Sequence, residues 1–527
     1  MKVTGEMLIG AHSVRGTEST LHAVDPATGA QLEPPFGGGS TADVDAACKL
    51  AEAAFDPFRS VSLEKRAAFL ETIAQGILDL GDHLLERVIS ESGLPRGRVE
   101  GERARTVYQL RLFASLAREG RWLSATLDRA MPDRKPLPRA DLRAQKIPVG
   151  PVAVFSASNF PLAFSIAGGD TAAALAAGCP VVAKSHSSHL GTAELIGRVV
   201  QKAVVDCALP EGVFSLLVGS GSSVGEALVQ HPAIRAVGFT GSRKVGRILV
   251  ALAAAREVPI PVYAEMSSIN PVFLLPSALS LRAESIAQGL IDSVTLGTGQ
   301  FCTKPGIVIA MAGPDFDRFR AAAQSCVHAK AATTMLNSGI YRAYCHGAAQ
   351  WEQNSGVRTL STGAAPQPDS FAGQPMLFAT SAQHFLASPN LLEEVFGPAA
   401  LLIECSGKEE LLAVANYLNG QLTATLHLAE QDSALARELL PLLERRAGRI
   451  IVNGFPTGVE VCYAMVHGGP SPATSDNRVT SVGAMSIERF LRPVCYQDFP
   501  SALLPESLQD ANPLHLTRLV EGKLQLP

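Results

Sequence analysis

The stretch "PVAVFSASNFPLAFSIAGGDTAAALAAGCPVVAKS", residues 151–185, decides the fold. It runs from a short β-rich piece through a helix of small residues to a second apolar piece ending in Lys184. The alternation continues with "TAELIGRVVQKAVVDC", "GVFSLLVG", "SVGEALVQH" and "IRAVGFTGS". Strands alternating with helical patterns in this way predict a doubly wound parallel sheet, an architecture that binds nucleotides in the crevice beyond its strand ends.

Upstream of this core, residues 7–30 alternate short apolar pieces with turn residues and end in "VDPATGA", which predicts a β-hairpin. Ser40 or Thr41 caps a helix through "ADVDAACKLAEAAF". Ser62 opens a longer helix in which Leu70, Ile73, Ile77, Leu80 and Leu84 recur at spacings of 3 and 4, and a further helix covers about 98–117. "MPDRKPLPRADLRAQKIP" carries four prolines between 131 and 148 and reads as an extended arm that meets a partner subunit. Past residue 267 a second α/β pattern begins, with strands near 271–275, 306–311, 399–404 and 450–453. The expected division is a cofactor-binding domain over 1–130 and 149–266 and a catalytic domain over 267–484. An oligomerisation arm at 131–148 and a tail at 485–527 complete it.

A chain of 527 residues exceeds what one hydrophobic core usually supports, which agrees with two domains. Hydrophobic residues make up 47% and charged residues 18%, a globular composition. The formal net charge of −4 offers no basic surplus for nucleic acid or anionic lipid. No window reaches the roughly 20 apolar residues that span a bilayer, and the start of the chain carries no sustained apolar leader. Nine cysteines are scattered without a C-x-x-C pair, so reduced thiols in a cytoplasm are expected, with no metal site.

Several positions carry chemistry. Cys302 lies in the glycine-rich "TLGTGQFCTKPG", residues 295–306. Cysteine is among the most buried residue types, yet a loop of this kind also gives access to a nucleophile of lowered pKa. Glu265 stands alone among apolar and small residues in "PVYAEMSSINP", where burial predicts a raised pKa and a general base. Asn159 follows a strand, and its amide suits a developing oxyanion as well as a turn. "GFTGSRKVG", with Gly241 and Ser242, opens a helix whose backbone N–H groups suit a pyrophosphate. "GSGSSVG", one residue too long for a dinucleotide fingerprint, offers Gly225 as a cofactor-binding residue or as an ordinary strand-to-helix turn. The pair His186 and His189 reads as a polar loop.

In order and approximate spacing, Asn159, Lys184, "GFTGS", Glu265, "GQFC" and "EEVFGP" at 393–398 resemble the aldehyde dehydrogenase superfamily over nearly the whole chain. "IPVYAEMSSINPVF" and "NGFPTGVEVCYAMVHGGPSPATSD" are similar to the branch acting on 2,5-dioxovalerate, or α-ketoglutaric semialdehyde. The resemblance implies an aldehyde dehydrogenase-like α/β fold and NAD(P)-dependent oxidation of that semialdehyde to 2-oxoglutarate in sugar acid or hydroxyproline breakdown. Medium- or long-chain fatty aldehyde oxidation and a non-catalytic dinucleotide-binding relative are the alternatives.

By the same resemblance Cys302 is the nucleophile, Glu265 activates the hydrolytic water, and Asn159 with the Cys302 N–H holds the oxyanion. Lys184, Gly241, Ser242, Glu394 and Phe396 contact the cofactor. Ser187 stands where many members carry a glutamate that repels a 2′-phosphate, so NADP is favoured and NAD accepted. Arg105, Arg111, Lys304 and His467 are candidates to receive the remote carboxylate. A homodimer or homotetramer in the cytoplasm is expected, with a small-molecule aldehyde as substrate.

Overall fold

In the computed structural model, which describes residues 1–368 and 370–527, the stretch 151–185 forms what its pattern dictates. Val152–Phe155 and Val181–Lys184 are adjacent parallel strands joined by the helix Gly169–Ala177. Every residue of that helix is buried, because alanines and glycines let it pack close on all sides. Five parallel strands stand in the order Val262–Glu265, Ala236–Thr240, Val152–Phe155, Val181–Lys184, Phe214–Leu217. Met7–Ile9 and His12–Val14 extend the sheet in antiparallel fashion.

The N-terminal region holds two hairpins where the sequence pattern predicts one. His12–Val14 folds back on Met7–Ile9, and Ser19–Val24 pairs separately with Gln31–Gly38. Helices Thr41–Arg59, Leu63–Asp79, Gly81–Ser92 and Arg96–Glu119 follow. The first carries a capping box between Ser40 and Asp43, and the second is capped by Ser62. Leu70, Ile73 and Ile77 face the core as their spacing requires.

A second sheet is parallel apart from its edge strand Val357–Thr362. It then runs Met376–Ser381, Ala399–Cys405, Ile307–Met311, Val272–Leu274, Gln421–His427 and Ala447–Val452. Its two faces bury separate apolar clusters, one around Phe273, Trp351 and Phe378 and one around Leu290, Phe316 and Phe319. The arm becomes the strand Leu142–Pro148, which pairs along its whole length with Leu491–Gln497 in a third sheet of five strands. Just before that tail strand, Ala484, Ile487 and Phe490 pack into the core of the first sheet. Val149 donates its N–H to the Phe490 carbonyl, and Arg489 pairs with Asp170 at 2.7 Å.

Candidate active site

Glu265 is the last residue of an edge strand, and one segment from the far end of the chain closes over it. The Met266 N–H bonds to the Ala473 carbonyl, the Ala264 N–H to Ser475 Oγ, and Glu265 forms a bridge with Thr474. That contact carries His467 and Ser481 to the carboxylate. His467 Nε2 lies 2.9 Å from Glu265 Oε1, and Ser481 Oγ donates to Oε2 at 2.6 Å. His467 is held in turn by its backbone N–H donating to Thr480 Oγ1 at 2.8 Å.

Cys302 completes the cluster. Its Sγ is 3.5 Å from the same His467 Nε2, and the thiol, imidazole and carboxylate atoms all lie within 4.8 Å of one another. The loop reaching Cys302 leaves the helix Pro276–Thr295 through a 3₁₀ turn over Leu296–Gly299. Gly299 has φ +66°, and a Cβ there would stand 2.3 Å from the Gly397 backbone. Only glycine therefore allows the thiol loop to lie against the loop of Glu394. Asn159 Nδ2 donates to the Gln300 carbonyl at 3.0 Å, two residues before the thiol, and Asn270 Nδ2 holds the Cys302 carbonyl at 2.8 Å.

The charges differ from the sequence expectation. Burial alone raises the Glu265 carboxyl, as expected, but attraction to His467 and hydrogen bonds from His467, Ser481 and Cys302 outweigh it and hold the group below the usual range. The Cys302 thiol, expected to have a lowered pKa, is pushed well up by burial and by the Glu265 and Glu394 carboxylates, against a smaller pull from Arg105. The resting site therefore holds a neutral thiol beside a charged carboxylate.

Two cavities flank the helix Arg243–Ala254, whose N-cap Ser242 lines both. One, of about 840 Å³, is lined by Lys184, Ser187, Gly241 and Ser242. Gly225 lies beneath it, where a Cβ would touch the Phe155 ring at 3.4 Å and Lys184 at 3.8 Å. Burial lowers the Lys184 ammonium to about 8. The other cavity, of about 770 Å³, reaches Ser267 and Glu394. Burial raises Glu394 to about 7 against the pull of Lys304. Phe396 is half-buried in the same loop. A helix N-terminus with hydroxyls, a lysine on one side and a carboxylate on the other fits a pyrophosphate between two riboses.

The four cationic candidates separate. Arg105 reaches the neighbourhood of the thiol, with its guanidinium 5.6 Å from the Phe164 ring, which lies 6.5 Å from the His467 ring. Arg111 is exposed on another face of the same helix, beside Glu71, and is not brought to the site. Lys304 is 1% exposed and donates to the carbonyls of Val395 at 3.0 Å and Ala399 at 2.9 Å. It ties down the Glu394 loop and faces no substrate. His467 is committed to Glu265 and Cys302. Sequence reading missed Ser481, which stands at a position that carries no local pattern.

The aldehyde dehydrogenase family matches residues 14–478. The chain is 58% identical over 526 residues to α-ketoglutaric semialdehyde dehydrogenase 2 of Azospirillum brasilense, covering 100% of both. It is 48% identical to α-ketoglutaric semialdehyde dehydrogenase of Acinetobacter baylyi, over 99% of this chain and 98% of the relative. Among solved structures, a mutant of aldehyde dehydrogenase C of Pseudomonas syringae in complex with NAD+ and octanal superposes with a TM-score of 0.81 at 23% identity, covering 95% of this chain and 98% of that one. Fold, cluster and relatives agree, and the chain belongs to the aldehyde dehydrogenase family.

Proposed function

We propose that this aldehyde dehydrogenase oxidises α-ketoglutaric semialdehyde to 2-oxoglutarate, with NADP favoured and NAD accepted. The substrate rests on the full-length relatives of that name, and the chemistry on the meeting of Cys302, His467 and Glu265. Glu265, within hydrogen-bond reach of the thiol and backed by His467, takes the Cys302 proton as the aldehyde arrives. The sulfur adds to the aldehyde carbon. The Asn159 amide and the Cys302 N–H hold the oxygen that gains charge. A bound nicotinamide supplies the chemistry of hydride acceptance. The acyl group stays on Cys302 as a thioester, and Glu265 then removes a proton from water so that hydrolysis releases the acid.

Lys184 and Ser187 would hold the adenosine ribose and its 2′-phosphate, Gly241 and Ser242 the pyrophosphate, and Glu394 with Phe396 the nicotinamide end. Gly225 leaves room beneath them. Cofactor-binding residues over 1–130 and 149–266 and catalytic residues over 267–484 remain the domain division we favour. We infer a homodimer or homotetramer assembled through the third sheet, where Leu524 is 69% exposed, and the arm that leads into it, where Leu137 is 69% exposed. Among the described residues no helix is long and apolar enough to cross a membrane, and a cytoplasmic enzyme fits the free thiols.

The test is a panel of aldehydes assayed with each cofactor. We expect kcat/KM for α-ketoglutaric semialdehyde to exceed that for succinic semialdehyde and hexanal by at least about tenfold. Equal values would defeat the substrate assignment and leave the family untouched.

A further inference from the structure

We propose that Arg105 and Arg449 together receive the 2-oxo acid end of the substrate, Arg105 gripping the carboxylate and Arg449 the keto oxygen. The idea rests on the substrate reading above.

Arg105 uses Nη1 to hold the Val459 carbonyl. Arg449, on the strand Ala447–Val452, uses Nη1 for the Gly458 carbonyl at 3.0 Å and Nη2 for the Pro456 carbonyl at 2.6 Å. Both guanidiniums are thus oriented by one short piece of backbone, residues 456–459. What they leave over is specific. Nε and Nη2 of Arg105 and Nε of Arg449 are buried and have no hydrogen-bond partner among the described residues. Nε with Nη2 is the side-on edge of a guanidinium, which matches the two oxygens of a carboxylate. A lone Nε–H suits one carbonyl oxygen. A 2-oxo acid presents these acceptors side by side.

Unsatisfied buried donors on charged groups are costly, so three of them on two guanidiniums anchored to the same four residues of backbone call for a ligand. Nearby carboxylates do not fill the role. Glu102 accepts from Arg98 at 2.6 Å and from the Leu162 and Ala163 N–H groups, and Glu460 accepts from its neighbour Val461 at 3.0 Å. The pocket is also in the right place. Gly448 abuts Gly468, where a Cβ would lie 2.3 Å from the carbonyl oxygen, so the strand of Arg449 runs against the segment of His467, and both guanidiniums lie within electrostatic reach of the Cys302 thiol. Phe164, over Arg105, is part of an aromatic group with Phe160 and Phe301. The rings admit aldehydes in general, and the two arginines select the acid.

Arg449→Met, Arg449→Lys and Arg105→Met would be compared using α-ketoglutaric semialdehyde, glutaric semialdehyde, which lacks the keto group, and pentanal, which lacks both. For Arg449→Met, kcat/KM for the keto acid relative to glutaric semialdehyde should fall roughly 10- to 100-fold. Arg449→Lys should lose the same ratio, because an ammonium does not present the Nε–H in place. Arg105→Met should lower both acids relative to pentanal by roughly 100-fold. If the three substrates lose equally, the arginines are structural and the idea fails; unchanged ratios overturn it as well. Should the unaltered enzyme itself not prefer the semialdehyde to pentanal, the substrate reading is what has failed. Should Arg449→Met not fold, Arg449→Lys carries the test.

Discussion

The cleft beside the helix Arg243–Ala254, which we propose as the cofactor site, and the thiol pocket present charge in opposite ways. In the cleft, fixed dipoles do the holding: the N-terminus of Arg243–Ala254, the Ser242 hydroxyl and backbone around Gly241, with Lys184 at one end. These donors exist whether or not anything is bound. In the pocket, Glu265, His467 and Cys302 hold one another: His467 helps to hold the Glu265 carboxyl down, and Glu265 helps to push the Cys302 thiol up. A cleft of dipoles tolerates the loss of one contact. A pocket of mutually dependent side chains does not, since removing one partner strands another in a buried site.

Substitution in the pocket should therefore have the largest effect. Glu265→Gln is expected to reduce steady-state kcat by roughly 100- to 10,000-fold, the range for loss of a general base. A rapid-mixing trace should still show one burst of reduced cofactor if hydrolysis of the thioester is the impaired step. Absence of the burst would move the main task of Glu265 to activating Cys302.

Acid separates the regions next. His427, the 2% exposed last residue of the strand Gln421–His427, is held down to about 4 by burial, and His186 beside the cleft to about 3. Both have folded values below the ordinary 6.5, so the unfolded chain binds more protons and stability falls as pH drops from about 6.5. For His427 the loss by pH 5 is about 2 kcal/mol. Glu265 is depressed, so its contribution is present above its ordinary 4.5 and lost only as pH falls further. Urea melts at pH 7, 5 and 4 should show weakening before the Glu265 pair is titrated. A flat profile between pH 7 and 5 would contradict the buried neutral histidines.

The smallest expected effect is in the cleft. Ser187→Glu places a carboxylate on an exposed rim and should shift the ratio of NADP to NAD affinity about fivefold toward NAD, as for a like-charge contact of roughly 1 kcal/mol. Fluorescence titration of each cofactor measures it directly. An unmoved ratio would place the 2′-phosphate elsewhere.

The cleft was legible because it is local. Strand, turn and helix N-terminus follow one another between Ala236 and Ala254, and the spacing of apolar residues reveals them. The strand Gln421–His427 was illegible by the same rule: it is wholly buried, yet four of its seven residues are polar. Gln421 Oε1 there accepts from Ser268 Oγ, Ile269 N and Asn270 N at 2.8 to 3.1 Å. A satisfied polar core leaves no alternating signature. In the pocket, Cys302, Glu265 and Asn159 were named from resemblance and local chemistry. His467 was noticed as a partner for the substrate carboxylate, whereas its Nε2 bonds to Glu265, 202 residues away in sequence, and Arg449 gave no signal. The Glu265 carboxyl went the other way from expectation because His467 and Ser481, which reverse it, come from that distance, and the Cys302 thiol did so because it is buried beside Glu265 and Glu394.

The return of the chain at Phe490 has a consequence for biosynthesis. Cys179, at the heart of the first sheet, donates its thiol to the Phe490 carbonyl across 311 residues, and Phe490 completes that core. On a ribosome adding 5 to 20 residues per second, the first sheet, whose last strand ends at Glu265, waits roughly 11 to 45 s for Phe490. Until then its apolar face is open. The nascent chain is thus a client for chaperones through most of its own translation, and a ribosome stalled anywhere before that point releases a product whose first core is unfinished.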